Sequence, residues 1–209
     1  MGATFSFLDF TGKKDALNSL LESIPELRHL EGCPQNPKYH YADVWEHTKD
    51  VVMRLYAMGE GRNNVLMFAG LLHDAGKGLP GIRSVNKEGQ PSDIGHEKAS
   101  AEMAVPILLR VAPYMTSHEI CTVRWLIACH MKLTFPIPDK NAKAVRFARQ
   151  SEDWLAPKGI DTGIALTWLL KLYDADMRST VFGLSADSNS MIDMRVRTLA
   201  LEFSRALCS

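Results

Sequence analysis

The chain lacks most features that mark a secreted, membrane-bound or nucleic-acid-coating protein. Its four cysteines, Cys33, Cys121, Cys129 and Cys208, contain no CxxC pair, so neither a disulfide framework nor a zinc-thiolate knot is expected. No run approaches the roughly 18 uninterrupted apolar residues of a membrane span. The start, MGATFSFLDFTGKKD, has no basic stretch leading into an apolar one, so no signal peptide is expected and the cytoplasm is the expected location. Neither sign of charge is in excess, with 24 basic residues balancing 24 acidic ones. Any polyanion site must therefore be local. Internal repeats, low-complexity segments and convincing period-two alternation are all missing.

What is present is helical patterning. A chain of 209 residues suits one sizeable core, so residues 1–209 are expected to form a single all-α domain. The proline-rich CPQNPKYH at 33–40 reads as a loop. After it, Asp43 is placed to cap a helix to about Met58, Asn63 or Asn64 another to Ala75, and Ser92 or Asp93 a third from Gly95 to Val111. Further helices are expected at Ser117 to Met131, Lys140 to Ser151, Asp161 to Met177 and Ser188 to Leu207, each with apolar residues three and four apart.

The stretch LMFAGLLHDAGKG at 66–78 is unusual because an apolar run ends in an ionisable pair, His73 and Asp74. It is not alone. His47 shares a face with Val44 and Val51, His96 with Ser100, Met103 and Ile107, and His130 with Val123, Leu126 and Ile127. Asp176 continues the face of Ala165, Leu169 and Leu172. A lone inward histidine is more often a hydrogen-bonded core residue than a ligand. Four imidazoles and two carboxylates buried together would cost several kcal/mol in desolvation without a compensating cation. A bound metal removes that cost. Nitrogen and oxygen donors without thiolates suit Mn, Fe, Co, Ni, Zn or Mg, and up to six ligands allow one or two divalent ions.

The segments DVWEHT at 43–48, LLHDAGK at 71–77, GHEKASAEMA at 95–104 and DADMRS at 174–179 resemble the HD-domain metal-dependent phosphohydrolases. The likeness is strongest to the HD domain carried by bacterial tRNA nucleotidyltransferases and covers roughly Gly32 to Thr180. It implies metal ligation by His47, His73, Asp74 and Asp176, with His96 and His130 matching the extra histidines of two-metal members. It also implies hydrolysis of phosphate esters, most naturally of nucleotides as phosphomonoesters or 2′,3′-cyclic phosphates, by metal-activated water. The expected partner is a small phosphate ester or nucleotide, with RNA ends as a further substrate class. A non-catalytic regulatory or nucleotide-binding module is the alternative. Nucleotide addition is not expected, because only about thirty residues precede the likeness.

The remaining polar residues divide. Asp74, Lys77 and Glu97 are candidates for the chemistry. Lys77 either grips a substrate phosphate or is an exposed lysine favoured by the helix dipole. Glu97 either orients a ligand or simply suits a first helical turn. Lys140, Lys143, Arg146 and Arg149 recur every three residues, and Arg146 is the best of them for holding a phosphate, although such rows are usually solvated faces. Asp174 is spaced for salt bridges to Lys171 and Arg178. His40 stays open between site and loop, while His29 and His118 read as surface. Tyr39, Tyr41 and Trp45 are placed either to stack a base or to fill the core.

Overall fold

The computed structural model describes residues 4–134 and 140–208. Among them the architecture is helical, as the spacing of apolar residues requires. A short α1 (Leu20–Ser23) lies among 3-10 turns. It is followed by α2 (Val44–Leu55), α3 (Asn64–Leu72), α4 (His96–Val111), α5 (Ser117–Cys129), α6 (Lys140–Leu155), α7 (Thr162–Arg178) and α8 (Ala186–Leu207).

Side-chain caps set most helix starts by satisfying amide donors that the first turn leaves free. Asp43 accepts from Glu46 N at 2.8 Å, Asn63 from Leu66 N at 3.2 Å and Asp161 from Ile164 N at 2.8 Å. Thr116 and Glu119 form a reciprocal capping box on α5. The cap expected for α4 from Ser92 or Asp93 is corrected. Gly95, at φ 88°, holds the N-cap, because the Asp93 carboxylate is already committed to Gly78 N at 2.9 Å and Arg83 Nε at 2.7 Å. Helix α2 also stops before Met58, giving way to one π turn over Tyr56–Glu60.

Between α3 and α4 the chain makes an antiparallel hairpin of two-residue strands, β1 (Ser84–Val85) and β2 (Pro91–Ser92). Strands this short leave no period for a sequence to display.

Helix α3 is the centre of the fold. Every residue from Val65 to Leu72 is buried, because α2, α5 and α7 all pack against it. A helix enclosed this way must be apolar on all sides, which accounts for its unbroken hydrophobic run. Gly70 allows the tight crossing with α2, since a β-carbon there would stand 2.6 Å from Leu55 Cδ1. The polar residues that end α3 are therefore delivered to the middle of the molecule.

Candidate metal centre

Six side chains converge just beyond the C-terminal end of α3. His47 comes from α2, His73 and Asp74 from the turn after α3, His96 from the start of α4, His130 from the end of α5 and Asp176 from the last turn of α7. All six are buried. Those predicted to point inward do so.

Their orientation follows from where they sit on the helices. The last turn of a helix leaves carbonyls without amide partners, and histidines placed there use them. His73 Nδ1 lies 2.8 Å from Gly70 O and His130 Nδ1 lies 2.7 Å from Ile127 O, each three residues back. His96 Nδ1 lies 2.8 Å from Asp93 O, and His47 Nδ1 reaches Ser179 O at 3.1 Å. A carbonyl only accepts, so each Nδ1 donates and each ring turns its Nε2 to the centre. An ionisable pair at the end of a buried helix is thus held by the helix's own spare carbonyls.

The centre itself is a gathering of acceptors. Nε2 of His47 lies 3.0 Å from Asp176 Oδ1 and 3.6 Å from Asp74 Oδ2, and Nε2 of His73 lies 3.2 Å from Asp74 Oδ2. On the other side Asp74 Oδ1 is 3.0 Å from His96 Nε2 and 3.9 Å from His130 Nε2, and these two nitrogens are 3.3 Å apart. With Nδ1 the donor in each ring, these Nε2 atoms face carboxylates and one another. Accordingly Nε2 of His47, Nε2 of His73 and both oxygens of Asp74 are buried without a hydrogen-bond partner. Buried polar atoms are rarely left so, and a cation bound among them satisfies them all. Among the described residues two sets of donors are each close enough to hold one ion, His47 with His73 and Asp74, and Asp74 with His96 and His130. Asp74 belongs to both through opposite oxygens.

Electrostatics agree with the geometry. Burial disfavours ionisation of Asp74, but His73 and Lys77 outweigh it and hold the carboxyl well below the usual range. Asp176 is likewise lowered, burial being overcome by His47. Burial also opposes a charged His73, yet the Asp74 carboxylate raises its pKa. Burial, with His73 and His96 close by, pushes His130 down to about 3. Both carboxylates are ionised and His130 is neutral at ordinary pH, the states in which such groups bind metal.

Lys77 is not an exposed lysine at the helix exit. It is buried, with Nζ 2.8 Å from Asp74 Oδ2 as a charge contact and donating to Gln35 Oε1 at 2.8 Å. Gln35 in turn donates to the carbonyls of Ala42 and Asp43, each at 3.2 Å. The proline-rich loop thus holds the lysine over the cluster. The loop after Asp74 is pressed against α4. Gly76 N donates to Ser100 Oγ at 2.8 Å, and a β-carbon on Gly76 would stand 2.7 Å from His96 O. This contact brings His96 to Asp74.

Other predicted residues lie at the edge or elsewhere. Glu97 comes no nearer than 4.0 Å to His96, on its Nδ1 side, away from the converging nitrogens. Arg146 is exposed, because α6 turns Ala144, Ala148 and Leu155 to the core, and among the described residues no hydrogen bond or ion pair joins it to the cluster. The side chain of Lys140 lies outside the described residues. Asp174 pairs with Arg178 at 2.9 Å, as its spacing requires, whereas Lys171 pairs with Glu60. Trp45 is core, its Nε1 donating to Asn18 Oδ1 at 3.1 Å. His40 stands edge-on to His47 with ring centres 4.8 Å apart, and its Nδ1 is buried without a partner. Gln35, and the carbonyls of Asp93 and Ser179, escaped sequence reasoning because backbone acceptors and a loop amide carry no signature.

Comparison with known proteins adds a family. The HD domain family matches residues 44–149. The chain is 30% identical over 141 residues to the A-adding tRNA nucleotidyltransferase of Deinococcus radiodurans, covering 68% of this chain and 31% of that protein. It is 30% identical over 139 residues to the multifunctional CCA protein of Methylobacillus flagellatus, covering 66% and 31%. With the multifunctional CCA protein of Burkholderia orbicola it shares 32% over 106 residues, half of this chain and 24% of that one. The chain thus spans less than a third of the length of these curated relatives. No solved structure matches the chain significantly.

Proposed function

Since the chain belongs to the HD domain family, we propose that it is a phosphohydrolase acting on small phosphate esters, with nucleotides as the preferred class. The observation that carries this reading is the pair of buried donor sets sharing Asp74, with the Lys77 ammonium beside them.

His47, His73, Asp74 and Asp176 would hold one divalent ion, and Asp74, His96 and His130 a second. Bound there, such ions supply an activated water and neutralise charge on phosphoryl oxygens. The protein's own part is orientation. Four Nδ1–H···O=C bonds fix the imidazoles before any ion arrives, so little reorganisation remains. Lys77, anchored by Gln35 beside Asp74, would offer its positive charge to a non-bridging phosphoryl oxygen. His40 Nδ1, next to His47, is a further buried polar atom without a hydrogen-bond partner.

Tyr39 and Phe182 support the nucleotide class. Both rings are exposed, with centres 6.4 Å apart. Tyr39 adjoins His40, and its carbonyl accepts from Val181 N at 3.0 Å, which links this aromatic rim to the segment following Asp176. Aromatic faces of this kind accept a base by stacking.

The test is product release from 2′-, 3′- and 5′-mononucleotides, 2′,3′-cyclic nucleotides and p-nitrophenyl phosphate, with added manganese, cobalt, nickel or magnesium, beside His73→Ala. Metal-dependent turnover lost in the variant supports the reading. Paired Tyr39→Ala and Phe182→Ala changes should raise KM for nucleotides and leave it unchanged for p-nitrophenyl phosphate. Silence across the whole panel by metal-loaded protein would favour a regulatory module instead.

A further inference from the structure

Helix α8 buries one face, through Ile192, Leu199, Glu202, Phe203 and Ala206, against α6 and α7. Its other side carries a second apolar row. Met191, Met194 and Leu201 are 65%, 63% and 59% exposed. Thr198 fills the middle of the row and Asp187 and Arg205 end it, all three exposed. The positions 187, 191, 194, 198, 201 and 205 advance by alternating steps of four and three. That is the heptad spacing of a helix that pairs with another helix. Single exposed hydrophobics need no explanation, but three aligned on one face of one helix mark a contact face.

The row complements itself when reversed. Asp187 and Arg205 lie nine residues either side of Val196, Met191 and Leu201 five, and Met194 and Thr198 two. A second α8 laid antiparallel about a two-fold axis beside Val196 sets Met191 against Leu201, Met194 against Thr198 and Asp187 against Arg205. The alternating seam positions then face each other as they do in antiparallel helix pairs, and the closed two-fold leaves no open end. Charge chooses the direction. Parallel pairing would oppose Asp187 to Asp187 and Arg205 to Arg205.

We infer that α8 is a self-association surface on which two copies of the chain pair antiparallel about this axis. Asp187 to Arg205 spans about 27 Å of helix. Contact over that length falls near the low end of specific interfaces, about 1,000 Å² in total, so the dimer dissociates in the micromolar range. Arg197, exposed beside the seam and next to the axis, faces its own copy and weakens the pairing.

Sedimentation of the full chain between about 5 and 200 µM, a range that brackets micromolar dissociation constants, tests the inference. The parent should show a reversible monomer–dimer equilibrium. Met194→Glu should raise the dissociation constant by roughly a hundredfold, because the two-fold repeats the change, while thermal melting of protein dilute enough to be monomeric stays unaltered at this exposed position. Arg197→Ala should tighten the dimer. With Cys208→Ser as background, the double variant Met191→Cys, Leu201→Cys should form a disulfide-linked dimer under mild oxidant, since these positions are about 15 Å apart within one helix and cannot bridge there. Each single cysteine should leave monomer. A parent that is monomeric throughout, or association that survives Met194→Glu, overturns the surface. Cross-linking by Met194→Cys alone overturns the antiparallel arrangement.

Discussion

Replacing Gly76 with alanine probes how the cluster is assembled. The added methyl would stand 2.7 Å from His96 O, 2.8 Å from Ala99 Cβ and 2.8 Å from Ser100 N, where ordinary contact begins near 3.4 Å. Two of these neighbours are backbone and the third is a methyl fixed to it, so no side chain can swing aside. The turn and the start of α4 must separate by roughly 0.6–0.7 Å, which is more than the about 0.2 Å tolerance of metal–ligand distances. Overpacking of this kind costs about 1–3 kcal/mol. Stretching the Gly76 N to Ser100 Oγ bond adds about 1 kcal/mol. A total of about 2–4 kcal/mol lowers the Tm of a domain this size by roughly 4–16 °C. The loss should be selective, because His96 moves away from Asp74 while His47, His73 and Asp176 rest on α2, α3 and α7. Elemental analysis of Gly76→Ala should therefore find about one ion per chain fewer than in the parent. An unchanged melting temperature together with full metal content would refute the idea that Gly76 sets the approach of α4.

Three further outcomes are expected. Lys77→Met should keep the parent's metal content and lower kcat/KM for phosphate esters by about a hundredfold, as loss of one charge-assisted contact to a developing oxyanion does; loss of metal would make Lys77 a support of the ligands instead. His96→Gln and His130→Gln should each reduce bound metal by about one ion and sharply cut turnover, and unchanged stoichiometry in both would leave a single-ion site. In metal-free protein, His130 is held at about 3 against an ordinary 6.5, so between those values the unfolded chain takes up a proton that the folded chain excludes. Its contribution is therefore complete above pH 6.5 and is lost as the pH falls toward 3. Acid melts of His130→Leu should fall less steeply over that window, and parallel curves would show that His130 does not report on burial there.

Helix spacing made much of the site readable, because an inward histidine repeats the face of its apolar neighbours. His47, His96, His130 and Asp176 are found this way, and the apolar run before His73 shows α3 to be enclosed. The limits are equally physical. A carbonyl that orients an imidazole has no side chain to identify it, so the roles of Gly70, Asp93, Ile127 and Ser179 appear only in three dimensions. Lys77 looks the same in sequence whether it faces solvent or a carboxylate, and the Gln35 anchor that decides the matter lies 42 residues away. Arg146 belongs to a basic row that reads either as a solvated face or as a phosphate contact, and Ala144 and Ala148 mark the buried side of α6, which leaves Arg146 on the exposed one. Asp93 resembles a helix cap until its carboxylate is seen serving Gly78 and Arg83.

Asp74 is the residue shared by both donor sets, so the most direct measurement is the metal stoichiometry of the metal-free protein after titration with manganese, iron, cobalt, nickel or zinc, set beside Asp74→Asn. The parent should take up about two ions per chain and the variant, with the shared carboxylate replaced by an amide, essentially none. A parent that binds no metal, or a variant that retains both ions, would contradict the assignment of the buried cluster as a metal centre bridged by Asp74.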